Sequence, residues 1–314
     1  MARVFVTRTL PGGALDRLRA AHDVEVWPEP GPPPAAELVA RAREADGLLT
    51  LLTDRVDAEL IRAAGRLRAV ANYAVGTDNV DLDAATAAGI PVGNTPGVLT
   101  EATADLAFAL LLAAARHLRA AEDAVLAGEW PPWAPGAFLG RDVAGATLGV
   151  VGMGRIGRAV AARAAGFAME VVHSSRSSGV PLGELLERCD YVSLHAPLTP
   201  ETHHMIGDRE LAAMKDTAIL VNTARGELVH TEALERALRA GEIAGAALDV
   251  TDPEPLPPDH PLLGAPNLLV VPHIGSATDS TRERMADMAV DNLLAALAGE
   301  RMPHCANPEV YEGR

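Results

Sequence analysis

The feature that most constrains the fold is a regular alternation of short β-branched runs with amphipathic helical patterns along nearly the whole chain. This alternation is typical of βαβ units, in which parallel strands form a sheet that helices cover on both faces. The predicted strands begin at residues 3, 23, 47, 67 and 90 in a first series, and at residues 147, 170, 191, 218, 244 and 267 in a second. A chain of 314 residues has room for two such domains.

Between the two series lies a helical pattern that begins near Thr100 and is predicted to run to about Gly128. The irregular segment "GEWPPWAPGAFLG" follows it, and its two tryptophans either tuck under the fold or form a subunit contact. The last helix is long enough to cross back over the first series. We therefore predict a discontinuous first domain of residues 1–98 plus 286–314. The predicted second domain, residues 99–285, includes the helix and arm at 100–140.

The bulk composition excludes several classes of partner. A formal net charge of −15 disfavours nucleic acid, because phosphate binding needs a basic face, and it disfavours a cation-rich membrane anchor for the same reason. The chain has two cysteines and shows no signal peptide, and its longest apolar run is about half of the roughly 20 residues that span a bilayer. The expectation is a soluble cytoplasmic protein.

A glycine pattern follows the first strand of the second series. Gly152, Gly154 and Gly157 form G-x-G-x-x-G between a predicted strand and a predicted helix. The first glycine permits a tight turn, the second lets the backbone approach a pyrophosphate, and the third allows close packing of helix on strand. The helix N-terminus would then offer N–H groups to the phosphates. This context predicts dinucleotide binding.

The stretch "VVHSSRSS", residues 171–178, lies where such a fold usually carries an acidic residue for the adenosine ribose, about twenty residues on. A carboxylate there would repel a 2′-phosphate. Ser174 and Ser175 remove that repulsion, and Arg176 offers a guanidinium with bidentate geometry for a phosphate. In the alternative interpretation, Arg176 is a solvated surface residue and the cofactor is NAD. The pattern favours NADP.

Three further residues follow predicted strands of the second series: Arg225, Glu254 and His273. Catalytic groups of open α/β sheets gather at the carboxyl ends of the strands. Reduction of a 2-oxo acid by hydride needs an acid for the developing alkoxide, and His273 suits that role near neutral pH. Glu254 would orient the imidazole and favour its protonated form, and Arg225 would polarise the carbonyl and grip the carboxylate. No Cys/His/Asp spacing fits a metal site.

Together these segments resemble the D-isomer-specific 2-hydroxyacid dehydrogenases along essentially the full chain. The resemblance is carried by "NYAVGTDNVDL", "VVGMGRIG", "NTARGELV", "LDVTDPEPLP" and "PHIGSAT". Within that family, "GLLTLLTDRVD", "TPGVLTEATADLAFALLL" and "EWPPWAP" are most similar to the glyoxylate/hydroxypyruvate reductases.

The resemblance implies two Rossmann-like or flavodoxin-like doubly wound parallel-sheet domains with a cleft between them, and Arg225, Glu254 and His273 as the catalytic trio. It implies substrate contacts at Val75, Gly76, Arg225, Ser276 and Trp133. It also implies cofactor contacts at Arg155 and Ile156 near the phosphates, at Pro197 near the adenosine half, and at Thr223, Ala224 and Asp249 near the nicotinamide half. His273 and Gly275 are further cofactor contacts that it implies. Such enzymes are typically homodimers, which favours the subunit contact for the arm.

The resulting hypothesis is NAD(P)H-dependent reduction of glyoxylate and hydroxypyruvate to glycolate and D-glycerate. The alternative within the family is a D-lactate or 3-phosphoglycerate type of dehydrogenase. The alternative from another class is a nicotinamide-sensing binding protein similar to the corepressors that share the fold. The complete catalytic trio disfavours that second alternative.

Overall fold

The computed structural model describes residues 1–312, which form two compact units. One unit comprises Met1–Leu99 together with the chain from Ala277 onward, and the other comprises Thr100–Ser276. The chain therefore returns to the first unit at Ala277, nine residues before the expected boundary at residue 286. It returns there because the last helix begins at Asp279 and belongs wholly to the first unit.

The first unit is a five-stranded parallel sheet with strand order β2-β1-β3-β4-β5, the flavodoxin-like arrangement. Its strands are β1 Arg3–Val6, β2 Asp23–Val26, β3 Gly47–Thr50, β4 Ala69–Asn72 and β5 Val92–Gly93. Its helices are α1 Ala14–Ala21, α2 Ala35–Glu44, α3 Ala58–Ala63, α4 Leu82–Ala87 and, after the second unit, α11 Asp279–Leu297. Strands β3 and β4 are buried throughout and read as continuous apolar runs, as strands covered on both faces do. Helix α11 packs on them from one side.

The second unit is a seven-stranded sheet with strand order β12-β11-β10-β9-β6-β7-β8, parallel except for β8. Its strands are β6 Thr147–Val151, β7 Glu170–Ser175, β8 Ser178–Gly179, β9 Tyr191–Leu194, β10 Ile219–Asn222, β11 Gly245–Leu248 and β12 Leu268–Val270. Its helices are α5 Thr100–Ala115, α6 Leu118–Leu126, α7 Arg155–Ala164, α8 Leu182–Arg188, α9 Asp208–Ala213 and α10 Thr231–Ala240. The expectation of two α/β parallel-sheet domains is confirmed. The strand β8 is an addition that the sequence does not predict.

The long helix expected from Thr100 to Gly128 is wrong in one respect, because the structure divides it into α5 and α6. His117 adopts a left-handed backbone with φ 51° between them. The break leaves the carbonyl of Ala115 free to accept a hydrogen bond from the N–H of Arg141 at 2.7 Å. Gly140 lies against the same carbonyl, where a Cβ atom would stand 2.3 Å from the oxygen. The returning chain therefore replaces the helical partner that Ala115 lacks.

The arm after α6 keeps its aromatic side chains in solvent. Trp130 is 75% exposed and Trp133 is 88% exposed, so the interpretation in which they tuck under the fold is wrong for this chain. Within residues 1–312, every helix falls short of the combination of length and apolarity that crossing a bilayer requires.

Candidate active site

The candidate site of the second unit lies where its parallel strands end, since their carboxyl ends share one edge of the sheet. The glycine-rich turn occupies the end of β6. Gly152 has φ 95°, and a Cβ atom there would meet the carbonyl carbon and oxygen of His195 at 2.6 Å. Glycine is therefore required at this turn both for its backbone angle and for the close approach of the chain after β9.

The other two glycines of the pattern differ in the space around them: Gly157 is closely packed, whereas Gly154 is open. A Cβ atom on Gly157 would lie 2.0 Å from the carbonyl oxygen of Gly152, so the helix α7 packs against the turn with no room for a side chain. Gly154 caps the N-terminus of α7, and nothing lies within 4 Å of its Cβ position. Arg155 and Ile156 form the first turn of the helix behind it. The open cap exposes helix N–H groups of the kind that bind phosphate.

The stretch at residues 171–178 folds as the end of β7 and a tight return to β8. Ser174 holds the glycine turn, because its carbonyl accepts a hydrogen bond from the N–H of Gly152 at 2.8 Å. The hydroxyl of Ser175 donates to the carbonyl of Ser178 at 2.9 Å and so closes the hairpin. Arg176 is exposed at the tip.

The charge of Arg176 reaches the segment that follows β9. The pKa of Glu201 is lowered by a hydrogen bond from Thr199 and, to a smaller extent, by the positive charge of Arg176. Pro197 lies in the same segment, and its carbonyl accepts a hydrogen bond from Thr202 at 2.7 Å. The positive charge of Arg176 is therefore felt in the segment after β9 as well as at the tip after β7.

The loop after β10 is organised by Asn222, a buried residue that the motif-based interpretation overlooked. Its side-chain amide donates to the carbonyl of Arg225 at 2.7 Å, and its amide oxygen accepts from the N–H of Ala224 at 3.0 Å. Arg225 in turn donates to the carbonyl of Ala224 at 2.7 Å. An asparagine at the end of an apolar strand, directly before a polar loop, is the sequence signal that could have identified Asn222.

His273 and Glu254 are in direct contact. The imidazole Nδ1 lies 2.6 Å from Oε1 of the carboxylate, and both side chains are about one-third exposed or less, at 27% and 35%. His273 follows β12 with a left-handed backbone at φ 52°, and Glu254 follows β11. Since Nδ1 faces the carboxylate, Nε2 is the nitrogen left for a substrate.

Asp249 fixes the backbone on the far side of His273. Its carboxylate oxygens accept hydrogen bonds from the N–H of Ile274 at 2.6 Å and of Gly275 at 2.8 Å. Burial raises the pKa of Asp249, although those two bonds and the nearby His273 act in the opposite direction. Thr103 of α5 donates to the carbonyl of Gly275 at 3.2 Å. Ser276 is the last residue of this unit.

One buried polar atom at this edge has no hydrogen-bond partner in the described chain. It is the hydroxyl oxygen of Thr223, directly after β10. A buried hydroxyl without a partner is costly, and a ligand that approaches the strand ends could satisfy it. Together with the open cap at Gly154, this hydroxyl leaves polar groups at the edge of the sheet that a bound dinucleotide would satisfy.

In the first unit, Val75 and Gly76 lie in the loop of residues 73–79 after β4. Their carbonyl groups accept hydrogen bonds from side-chain amides, Val75 from Asn94 at 2.8 Å and Gly76 from Asn72 at 3.0 Å. The N–H groups of both residues have no acceptor among residues 1–312. Two adjacent unpaired N–H groups are suited to an anion.

The site combines a glycine-rich turn between strand and helix, an open helix N-terminus and the His273–Glu254 pair at the neighbouring strand ends. This combination is typical of a nicotinamide-dependent oxidoreductase. The comparisons agree. Residues 108–275 match the model of the D-isomer specific 2-hydroxyacid dehydrogenase NAD binding domain, so the chain belongs to that family. The expectations of an enzyme that uses NAD(P) are thereby confirmed.

The chain is similar to relatives over nearly its full length. It is 51% identical to a glyoxylate reductase of Korarchaeum cryptofilum, over 99% of this chain and 98% of that one. A solved structure of a Thermus thermophilus protein matches with a TM-score of 0.93 and 55% identity, over 97% of this chain and 99% of that one. An NADPH-dependent glyoxylate/hydroxypyruvate reductase from Sinorhizobium meliloti, solved with NADP and malonate, matches with a TM-score of 0.85 and 33% identity, over 98% and 97%.

Proposed function

We propose that this protein reduces glyoxylate and hydroxypyruvate to glycolate and D-glycerate with NADPH. The observation that carries the proposal is the contact of His273 with Glu254 at the strand ends next to Arg225, in a chain of this family. The relatives named as glyoxylate reductases support the choice of substrate.

His273 is the acid in this proposal. NADPH, when bound, supplies the hydride that converts the carbonyl into an alkoxide. The Nε2 proton of the imidazole is transferred to that oxygen, and the carboxylate of Glu254 at Nδ1 stabilises the charged ring before the transfer and fixes its orientation. Asn222 donates to the backbone carbonyl of Arg225 and supports its loop, and the proposal assigns to the guanidinium the role of polarising the substrate carbonyl.

In the first unit, the N–H groups of Val75 and Gly76 bind the substrate carboxylate, because an anion satisfies backbone N–H groups that lack an acceptor. In the second unit, Arg225 and Ser276 are the substrate-binding residues of the proposal, and the guanidinium offers charge-assisted hydrogen bonds. The small size of glyoxylate and hydroxypyruvate leaves few other groups to recognise.

The test of the reaction is a set of steady-state rates with glyoxylate, hydroxypyruvate, pyruvate and 3-phosphohydroxypyruvate. The first two should give the highest kcat/KM. Equal or higher values for pyruvate or for the phosphorylated acid would instead assign a D-lactate or 3-phosphoglycerate type of dehydrogenase.

We infer NADP rather than NAD from the absence of a carboxylate after β7 and from Arg176 at the hairpin tip. Arg176→Ala should lower kcat/KM for NADPH by roughly tenfold, the value of one charge-assisted hydrogen bond at about 1.5 kcal/mol. The value for NADH should stay within about twofold. Arg188→Ala is the matched control, because Arg188 pairs with Glu184 and Glu170 on the surface of the same unit. Equal use of the two cofactors, unchanged in Arg176→Ala, would refute the inference.

We also propose a homodimer joined through α6 and the arm. Of the eleven large hydrophobic side chains exposed in residues 1–312, seven lie between Leu118 and Leu139. A patch of this kind on one segment marks an interaction surface. Trp130→Ser combined with Leu139→Ser should shift the mass measured by light scattering from dimer towards monomer, whereas Leu52→Ser in the other unit should not. Trp133, which the family resemblance places at the substrate, stays unchanged in this test.

A further inference from the structure

The loop of residues 73–79 accepts hydrogen bonds from Asn72, Asn94 and Thr95, to which the proposed function assigns no role. Three consecutive carbonyl groups of the loop each accept a hydrogen bond from the protein. Ala74 accepts from the N–H of Thr95 at 2.9 Å, Val75 from the amide of Asn94 at 2.8 Å, and Gly76 from the amide of Asn72 at 3.0 Å.

These bonds set the direction of the N–H groups on the other side of the loop. In a trans peptide unit the C=O of one residue and the N–H of the next point in opposite directions. The carbonyls of Ala74, Val75 and Gly76 are thus coupled to the N–H groups of Val75, Gly76 and Thr77. None of these three N–H groups has an acceptor among residues 1–312. Because each carbonyl points towards the group that donates to it, the N–H of the same peptide unit points away from that group.

The two asparagines are themselves fixed. Asn72 is fully buried and pairs reciprocally with Asn79, whose amide also donates to the carbonyls of Leu51 and Asp54 at 3.0 and 2.9 Å. This links the loop after β4 to the loop after β3. An amide pair that satisfies itself in a buried site has little freedom to move.

Asn94 is supported from the C-terminal part of the unit. The amide of Asn292, fully buried on α11, donates to the carbonyl of Asn94 at 3.0 Å, and its oxygen accepts from the N–H of His304 at 2.9 Å. Asn292 also fills the space where a Cβ atom on Gly93 would lie, 2.6 Å from the amide nitrogen. Residues about 200 positions apart therefore meet at the end of β5.

We propose that Asn94 is a positioning residue for the substrate carboxylate: through the carbonyl of Val75 it fixes the direction of the N–H of Gly76, and it does not contact the substrate. This inference rests on the proposed function, in which Val75 and Gly76 bind that carboxylate. Without the amide of Asn94, the N–H of Gly76 loses its fixed direction, and binding of the 2-oxo acid weakens while the chemistry of bound substrate is unchanged.

Asn94→Ala is the test variant, because Asn94 is only half-buried and its backbone bonds remain. The KM for glyoxylate should rise about fivefold or more, the loss expected for one hydrogen bond, with kcat within about twofold and KM for NADPH unchanged. A variant that lowers kcat at unchanged KM would overturn the proposal.

Asn307→Ala is the matched control. Asn307 is equally an asparagine of this unit, fully buried, with its amide donating to the carbonyl of Ile90 at 3.0 Å and its oxygen accepting from the N–H of Val92 at 2.8 Å. It has no bond to residues 73–79 in the described chain. Asn307→Ala should lower the melting temperature but leave KM for glyoxylate unchanged.

Hydrogen–deuterium exchange separates this proposal from the proposed function, since it needs no turnover. In the free protein, Asn94→Ala should increase deuterium uptake by peptides that cover residues 73–79, through the hydrogen-bonded amides of Tyr73 and Ala74, and Asn307→Ala should not. If the starting protein reduces no 2-oxo acid, the proposed function fails, and faster exchange in Asn94→Ala still supports the positioning of the loop. Unchanged exchange and unchanged KM in Asn94→Ala would refute the positioning role.

Discussion

Two single substitutions in the glycine-rich turn after β6, Gly154→Ala and Gly157→Ala, should separate the effect on cofactor binding from the effect on stability. Nothing lies within 4 Å of the Cβ position of Gly154, whereas that of Gly157 lies 2.0 Å from the carbonyl oxygen of Gly152. Gly154→Ala therefore adds a methyl group only to the open space at the N-terminus of α7, where the phosphates would approach. Gly157→Ala forces α7 away from the turn.

The stability effects of the two variants differ in size. At Gly154 the backbone has φ −73° and ψ −161°, an extended conformation that alanine adopts without strain. The reduced freedom of the unfolded chain stabilises by about 0.4–1 kcal/mol, and the loss of a good N-cap residue offsets it by about the same amount. At Gly157, overpacking costs about 1–3 kcal/mol, or roughly 2–12 °C in melting temperature.

The affinity for NADPH should fall in Gly154→Ala, although that variant keeps its stability. A methyl group at Gly154 prevents close approach of the pyrophosphate and removes one or two hydrogen bonds from backbone N–H to a charged oxygen. Each is worth about 1.5–3 kcal/mol, or roughly 10- to 150-fold in Kd. Gly154→Ala should thus unfold near the temperature of the starting protein and bind NADPH at least about tenfold more weakly.

Fluorescence titration with NADPH and thermal denaturation measure the two effects on the same samples. Gly183→Ala is the control, because Gly183 lies near the N-terminus of α8 and its Cβ position is equally open. It should keep the affinity for NADPH. The reasoning is refuted if Gly154→Ala binds NADPH as tightly as the starting protein, or if it loses as much stability as Gly157→Ala.

Three further predictions concern two histidines of the second unit, His273 and His195, and Glu254, the partner of His273. His273→Asn, chosen because asparagine tolerates the left-handed backbone, should lower kcat by about 10²- to 10⁴-fold with Kd for NADPH preserved, and near-normal turnover would rule out His273 as the acid. Glu254→Gln keeps an oxygen for Nδ1 but removes the charge that stabilises the imidazolium, so kcat should fall about tenfold or more while the melting temperature changes little. Burial lowers the pKa of His195 from 6.5 to about 4. The unfolded chain therefore binds the proton first as the pH falls, which removes about 2 kcal/mol of stability between pH 7 and pH 5. His195→Gln should show a shallower loss over that range in denaturant titrations, and an identical slope would contradict the assignment.

Much of the fold could be predicted from local sequence, because each element carries its own signal. The short, mainly apolar strands at residues 47–50 and 219–222 are buried throughout, and the alternation of strands with helices leaves little choice but parallel sheets. The break at His117 was not predictable, since the pattern of α5 continues through it. It arises because Arg141 and Gly140 return to Ala115, a contact that no local pattern encodes.

The candidate site divides in the same way. The glycine pattern and the residues after β10, β11 and β12 are identified by chemistry at strand ends, and the direct contact of His273 with Glu254 agrees with their proposed roles. The hairpin that Ser175 closes with Ser178 was missed, because two-residue strands carry almost no periodic signal. Asp249 was assigned to the nicotinamide half, but the structure also gives it two backbone partners in the His273 loop.

The asparagines behind residues 73–79 show why positioning residues are harder to predict than the groups they position. The residue type alone suggests a chemical role for a histidine or an arginine in the sequence. A buried asparagine can be assigned a role only when its hydrogen-bond partners are known. The partners of Asn94 include Val75 and Asn292, 19 and 198 positions away along the chain. Their meeting depends on β4, β5 and α11 all being in place, so the direction of the anion-binding N–H groups is a property of the folded unit rather than of the loop sequence. Substitutions at Asn292 should therefore act on substrate binding through Asn94, even though the two residues belong to segments that the second unit separates along the chain.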